Sequence, residues 1–286
     1  MTADLHAADR FLQAESRLLE RRLFDVLIRD GSPDPVVDVL RGYRNADGGF
    51  GHGLEPDKRC PASLPIDVET AFQALAAAGT TDHSLLGPAC DFLGSVAVDG
   101  AVPLAFPVIE DYPRAAHWTE WTYAPGLNPT AGLAGLLHRL GFEHPWRDAA
   151  TAYCWREIES GKLPDEVHAL GEAMTFLAHV PDRARAERAA VTVLEQLTAS
   201  PMFDPKPGEY GLTPLHIAAT ADSPWRTLFD DTRLQANLDQ LADGQQDDGG
   251  WTITWEPPSK ASRLEWRGIV TVQAVRTLRS YGRIGG

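Results

Sequence analysis

Leu5, Phe11, Leu12, Leu18, Leu19, Leu23, Val26 and Leu27 recur at helical spacing along the first segment, and Gly31 and Pro33 end the run. The spacing predicts one amphipathic helix, straight or kinked. Beyond it no stretch sustains the alternation of a strand, and two kinds of helical segment take turns. One kind opens at proline and is rich in small residues, starting at Leu64-Pro65, Leu127-Asn128-Pro129, Leu163-Pro164 and Leu212-Thr213-Pro214. Proline suits the first helical turn because its missing N–H would have no partner there. Ala71, Ala74, Ala131, Gly132, Gly135, Ala169, Ala173 and Ala218 then allow close helix approach, so these segments belong inside. The other kind carries a charged face: 33–44, 83–98, 145–159, 182–199 and 231–243. Such segments bury one side only and belong outside.

With the first segment and the last, Leu264 to Tyr281, taken as inner helices, six inner segments alternate with five outer ones. The pattern predicts an all-α fold, a single α/α toroid over 1–286 with inner helices wrapped by outer ones. An open superhelix of helical pairs is the alternative. Inner-to-outer connections are short. Outer-to-inner connections are long, 45–64, 99–128, 200–213 and 247–263, and long ordered loops are usually functional. All four are expected over the inner-helix N-termini.

Two of these loops repeat one another. Asp47-Gly48-Gly49-Phe50, Glu55-Pro56, Val68 and Thr70 recur as Asp248-Gly249-Gly250-Trp251, Glu256-Pro257, Ile269 and Thr271, each pair 201 positions apart. Agreement over a Gly-Gly turn, an aromatic, a Glu-Pro step and a helix start marks an internal repeat.

Charge and cysteine content narrow the partners. A net charge of −14 repels phosphate backbones, which argues against nucleic acid. No apolar run approaches the roughly 20 residues of a membrane span. Three cysteines, Cys60, Cys90 and Cys154, at unrelated spacings read as buried apolar side chains in a reducing compartment, and the N-terminus has no leader pattern, so a cytoplasmic location is expected.

Gln245-Gln246-Asp247-Asp248-Gly249-Gly250-Trp251 and, as a less complete match, Asn45-Ala46-Asp47-Gly48-Gly49-Phe50-Gly51 resemble the Gln-x-x-Asp-Gly-Gly-Trp type signature of the terpenoid cyclase and protein prenyltransferase superfamily. The resemblance implies the α/α toroid and a structural role for the motif, with the glycines making a turn and the aromatic packing between helices. It does not extend to the chemistry. The Asp-x-Asp-Asp acid of proton-initiated cyclases is absent, and Asp230-Asp231 reads as a helix cap. The zinc set of prenyltransferases is not reproduced by Asp57-Lys58-Arg59-Cys60.

Candidate chemistry lies in the loops and inner helices. His52, Glu55, Asp57 and Cys60 include metal-ligating types but no recognised ligand spacing, so neither a metal nor a cofactor is expected. Glu55 and its repeat Glu256 are candidate acid, base or ligand-binding groups. The plain structural alternative is a cap or an ion pair with Arg59 and Arg263. Asp67 and Glu69, in an inner helix's first turn, share that ambiguity. Tyr112, Trp118, Trp121 and Trp255, with Asp57, are candidate substrate contacts, as rings that face a cation or a sugar. His168 and Glu172 stand one turn apart on one helix and form a candidate proton-transfer pair. Asp165, beside Pro164, reads as a charge complementing the helix dipole.

Three functions fit these residues. The first is a terpenoid cyclase or prenyltransferase-like enzyme acting on a hydrophobic or isoprenoid-like small molecule. The second is a toroidal glycan-active hydrolase or lyase, and the third a non-catalytic ligand- or protein-binding toroid.

Overall fold

A computed structural model describes residues 3–285, and twelve α-helices with three short 3-10 turns account for its regular structure. No strand runs through the described residues; only isolated bridges pair extended backbone. No helix is long and apolar enough to cross a membrane. The chain groups into two compact units. One is discontinuous, Met1–Pro35 with Pro201–Gly286; the other is Val36–Ser200.

In the discontinuous unit the single first helix expected from the sequence is two, α1 (Leu5–Glu15) and α2 (Leu18–Arg29). Ser16 breaks it: its hydroxyl and its N–H both donate to Leu12 O, ending α1, and Arg17 is extended. At the break α12 (Lys260–Ser280) passes so close that a Cβ on Gly268 would lie 2.8 Å from that of Ser16. The unit is completed by α10 (Pro214–Ile217) and α11 (Asp231–Asp243), the latter capped by Asp230 accepting Arg233 N–H at 2.8 Å. The inner helix expected over 214–220 is thus a single turn. Ala218 leaves the helical region, and Pro224 bars a restart close behind it.

The continuous unit begins at α3 (Asp34–Arg41), which straddles the boundary. It continues through α4 (Pro65–Ala78), α5 (His83–Val96), α6 (Leu127–Arg139), α7 (Pro145–Ile158), α8 (Val167–His179) and α9 (Arg183–Ala199). The small-residue helix α6 lies centrally, packed on α4, α7 and α8. At Gly135 a Cβ would come within 2.8 Å of the Phe176 backbone on α8. α8 starts three residues later than its Leu163-Pro164 signal. Glu166 is its cap, accepting His168 and Ala169 N–H, so Asp165 stands outside the helix and accepts from Gln196 instead of serving the dipole.

Each unit contains one copy of the repeated turn, and the two copies share their main-chain hydrogen bonds and the one that their aspartate accepts. Gly49 N–H donates to Asp47 Oδ1 and Asn45 N–H to Gly49 O; Gly250 N–H donates to Asp248 Oδ1 and Gln246 N–H to Gly250 O. Gly48 and Gly249 take φ of 89° and 94°. A Cβ on Gly48 would lie 2.5 Å from Pro88 O, and one on Gly249 2.2 Å from Ala7 O. The following glycine meets the ring one turn further on, Phe92 or Phe11. Phe50 and Trp251 are buried behind the turn, and Trp251 Nε1 donates to Leu241 O. The motif is therefore a docking turn that seats a loop on a helix.

Gly48→Ala and Gly249→Ala combine left-handed strain with a backbone clash and are expected to destabilise by about 1–3 kcal/mol in urea unfolding. Gly79→Ala, also at positive φ but with open space around it, should lose less. Equal losses at all three positions would contradict the docking role.

Candidate functional site

The long loops of the continuous unit close over the first turns of α4 and α6. Leu64 N–H reaches Phe50 O, Ile66 N–H reaches Leu104 O, and Thr130 Oγ1 on α6 accepts from Val102 N–H. The two loops also hold each other, through Arg59 N–H to Pro113 O and Ala115 N–H to Asp57 O. Under them a small core forms from Cys60, Leu64, Leu104, Ile109 and Trp118, with Tyr112 and Tyr123 packed on it.

At the base of this cap lies a knot of buried charge. Lys58 is wholly buried, its Nζ 2.9 Å from Glu55 Oε2, 3.1 Å from Asp67 Oδ2 and 5.1 Å from the centre of the Trp118 ring. Glu55 Oε2 also accepts Asp57 N–H, and Asp67 Oδ1 accepts Glu55 N–H. Burial pushes Glu55 up to about 7 against the pull of Lys58. Burial also works against the Lys58 charge, yet Asp67 and Glu55 together hold its pKa above the ordinary lysine value. Of the two sequence readings of Glu55, the knot matches the ion pair, with Lys58 as partner rather than Arg59. Its repeat differs. Glu256 is 84% exposed and pairs with Arg263 on the surface. Where the first copy has Lys58 and Asp67, the second has Ser259, the cap of α12, and Gly268.

A second group of acids lies on the helices themselves. A Cβ built on Gly132 of α6 would fall 1.9 Å from Glu172 Oε2 of α8 and 2.2 Å from Glu69 Oε1 of α4. The bare face of α6 is thus where two carboxyl groups from flanking helices meet. Glu69 is 2% exposed and its Oε1 meets no N–H or O–H donor among the described residues, whereas Glu172 is partly exposed. Two carboxyl groups this close bond to one another only if a proton lies between them. Burial first, then the facing Glu172 carboxylate, raise Glu69 well above the carboxylate range. Burial raises Glu172 to about 7, with the hydrogen bond from Glu69 acting in the opposite sense. Both shifts describe Glu69 as donor and Glu172 as acceptor.

The remaining sequence candidates sort around this pair. The partner of Glu172 is thus Glu69 on another helix, while the charged neighbours of His168 are Glu166 and His117; burial lowers the His168 pKa and Glu166 opposes it. His117 Nε2 is 3.3 Å from Asp57 Oδ2, and Glu166 Oε2 accepts from Asn128 of α6. Asp57, His117, His168, Glu166 and Asn128 therefore form a polar band running from the loop to the tops of α8 and α6. Trp118 is buried beneath Lys58 and Tyr112 is packed in the loop core, so both serve as anchors of the cap. Trp121 is 52% exposed, its indole N–H on His117 O. In the discontinuous unit, Trp255 stacks edge-on with Trp266 and Tyr210, 5.0 and 5.7 Å between centres.

The sequence reading passed over Lys58, His117 and the role of Gly132. Lys58 had one visible signal, a lysine within three positions of Glu55 and beside Asp57, but Arg59 next to it carries the same signal. The Glu69 and Glu172 pairing has none at 103 positions' separation. Among the described residues no group of three or more His, Cys, Asp or Glu is arranged to hold a metal ion. The three cysteines are buried thiols, and burial pushes Cys90 up to about 12. No protein-family model matches the chain, and no curated protein aligns with it.

Lys58→Met keeps the length of the side chain but leaves Glu55 and Asp67 buried without their cation. It is expected to destabilise by about 3–5 kcal/mol. Glu256→Gln, at the equivalent surface pair, should shift chemical denaturation by less than about 1 kcal/mol. A mild Lys58→Met phenotype would mean that the knot does not hold the cap.

Proposed function

We propose that the chain is a proton-transfer enzyme of the terpenoid cyclase and prenyltransferase type, a single α/α toroid acting on a hydrophobic or isoprenoid-like small molecule, with the Glu69 and Glu172 pair as its acid. The observation that carries this reading is the meeting of two carboxyl groups at Gly132, an arrangement that favours retention of a proton. The pair stands in for the missing Asp-x-Asp-Asp motif, since in both cases the requirement is a carboxylic acid kept neutral near pH 7.

In this reading the active form is the pair with both members protonated: Glu172, the more accessible one, gives its own proton to an alkene carbon while Glu69 keeps the proton between them. The π electrons form the new C–H bond, and the adjacent carbon becomes a cation. Glu69 donates its hydrogen bond to the carboxylate left behind, which limits the charge developing there. Ring closure onto a second alkene moves the positive charge to another carbon, and loss of a proton from a carbon beside it to Glu172 then forms the product alkene and restores the acid. A pKa near 7 suits this task, because the acid is substantially protonated yet still a usable donor. The spacing speaks against a glycosidase pair. Those carboxyl groups stand roughly 5–10 Å apart to admit a sugar carbon or a water, whereas here both reach the same Gly132 face.

Deuterium uptake from heavy water into acyclic polyenes such as farnesol, geranylgeraniol and squalene tests the proposal. Wild type is expected to label at least one of them, and Glu172→Gln to lose about 10²–10⁴-fold in rate. The rate should fall as pH rises through about 7, where Glu172 loses its proton, and Glu69→Gln should alter that limb. Unlabelled polyenes together with release of reducing ends from polysaccharides would overturn the assignment.

The same pair predicts a pH dependence of stability. An unfolded glutamate ionises near 4.5 and folded Glu172 near 7. Between these values the folded state holds the extra proton, so stability is greatest at the acid end and falls as pH rises. The change should amount to at most about 3 kcal/mol. In Glu172→Gln the melting temperature should vary less from pH 5 to 8; a slope matching wild type would contradict the raised pKa.

A further inference from the structure

The discontinuous unit has a cleft of ≈ 380 Å³ lined by α10, α11, α12 and the second repeated turn. Val270, Ala274 and Thr277 form one stripe of α12 along it, Asn237 and Leu241 one stripe of α11, and the ring of Trp251 adds to the apolar lining. Among the described residues no Asp or Glu lines it. Arg276 and His216 do, but both are engaged by other groups of the chain, so neither is a free charge or donor.

Two polar side chains of this lining are more than nine-tenths buried, Thr277 at 7% exposure and Asn237 at 8%. The amide of Asn237 is oriented by its partners. Its Nδ2 donates to Asp204 Oδ1 at 3.2 Å and to Arg233 O at 3.1 Å, which leaves Oδ1 as an acceptor without a donor. The Thr277 hydroxyl likewise makes no hydrogen bond among the described residues. Neither oxygen is sealed within packing, and the space both border is the cleft. In the register of the repeat the same two positions of the first copy are Val36 and Ala76, buried and apolar. The second copy therefore places hydrogen-bonding groups where the first has plain packing.

We propose that this cleft binds a small uncharged molecule with an apolar body and one hydroxyl group. The volume lies at the small end of ligand pockets, which suits a molecule of modest size. A carbonyl acceptor and a hydroxyl within an apolar lining match a group that both donates and accepts. The ligand O–H donates to Asn237 Oδ1, its oxygen accepts from Thr277 Oγ1, and the hydrocarbon lies against Leu241, Trp251, Val270 and Ala274. Two polar atoms left unpaired in the empty cleft are thereby satisfied. A carboxylate or an ether brings no donor for Asn237, and an ammonium brings a charge that no carboxylate of the lining meets. The site belongs to the other unit from the acid pair and does not depend on the reading given to that pair.

Calorimetric titration with octan-1-ol, methyl octyl ether, octanoate and octylammonium is the test, with the indole N–H resonance of Trp251 reporting location. The alcohol is expected to bind saturably at one site and to shift Trp251, whose N–H is held by Leu241 O of the same lining. The ether and both ions should bind roughly tenfold or more weaker, since each lacks the donor or brings an unmatched charge. Thr277→Val keeps the shape of the side chain and removes its hydroxyl. It should weaken the alcohol by about tenfold, while the melting temperature of the free protein holds or rises because the hydroxyl has no partner to lose there. Glu172→Gln should bind the alcohol like wild type, which separates this site from the acid pair. Absence of saturable octan-1-ol binding, equal affinity for the ether, or an unchanged affinity in Thr277→Val would each overturn the proposal. So would a clear fall in the melting temperature of Thr277→Val, which would mean that the hydroxyl is bonded within the protein.

Discussion

A carboxyl group taken out of water must be paired, hydrogen-bonded or neutral, and the continuous unit uses each of these solutions within a few turns of helix. Glu55 and Asp67 are paired to Lys58. Glu69 meets Glu172 at the bare face of Gly132, and burial, then the facing Glu172 carboxylate, raise its pKa well above the carboxylate range, which favours the neutral form. The second arrangement is possible only because α6 presents a glycine where any other residue would place a Cβ within about 2 Å of both oxygens. A small-residue helix of this kind serves first as a packing device, letting α4 and α8 approach. The space it leaves at Gly132 then receives polar groups rather than methyls, and the chemistry follows from that substitution.

The repeated turn shows how fold and chemistry separate in this chain. Its two copies share their hydrogen bonds, their positive-φ glycine and their buried aromatic. Beyond the turn they diverge. The first copy leads into Lys58, Asp67 and Glu69, whereas the second leads into Ser259, Gly268 and Val270. A turn stabilised by its own backbone and one aspartate makes few demands on the residues that follow, so one loop could acquire a charged knot and the other a neutral cleft wall.

Much of the architecture was legible because it rests on local signals. Proline marked the starts of α4 and α10, and Asp230-Asp231 marked the cap of α11. The misreadings were local too. Ser16 ends α1 by bonding back to Leu12, which apolar periodicity alone does not register, and Glu166 outcompetes Pro164 for the start of α8. Of the candidate site residues, Glu172 and Glu55 lie within the buried acid network. Spacing along the chain assigned their partners wrongly, because those partners are fixed by helices crossing in space. His168 was matched with Glu172 by its four-residue separation, but its charged neighbours come from the loop and the helix cap. Trp118 reads in the sequence as a substrate ring and is a buried ring beneath the Lys58 ammonium. An aromatic in a loop carries no mark of which side it faces.

The account rests on one proton between Glu69 and Glu172. Infrared difference spectroscopy of wild type against Glu69→Gln at neutral pH observes it directly, through the carbonyl stretch of an un-ionised carboxylic acid. The band is expected in wild type, lost or shifted in the variant, and sensitive to exchange into heavy water. Two ionised carboxylates at neutral pH, with no acid band to remove, would contradict the central claim.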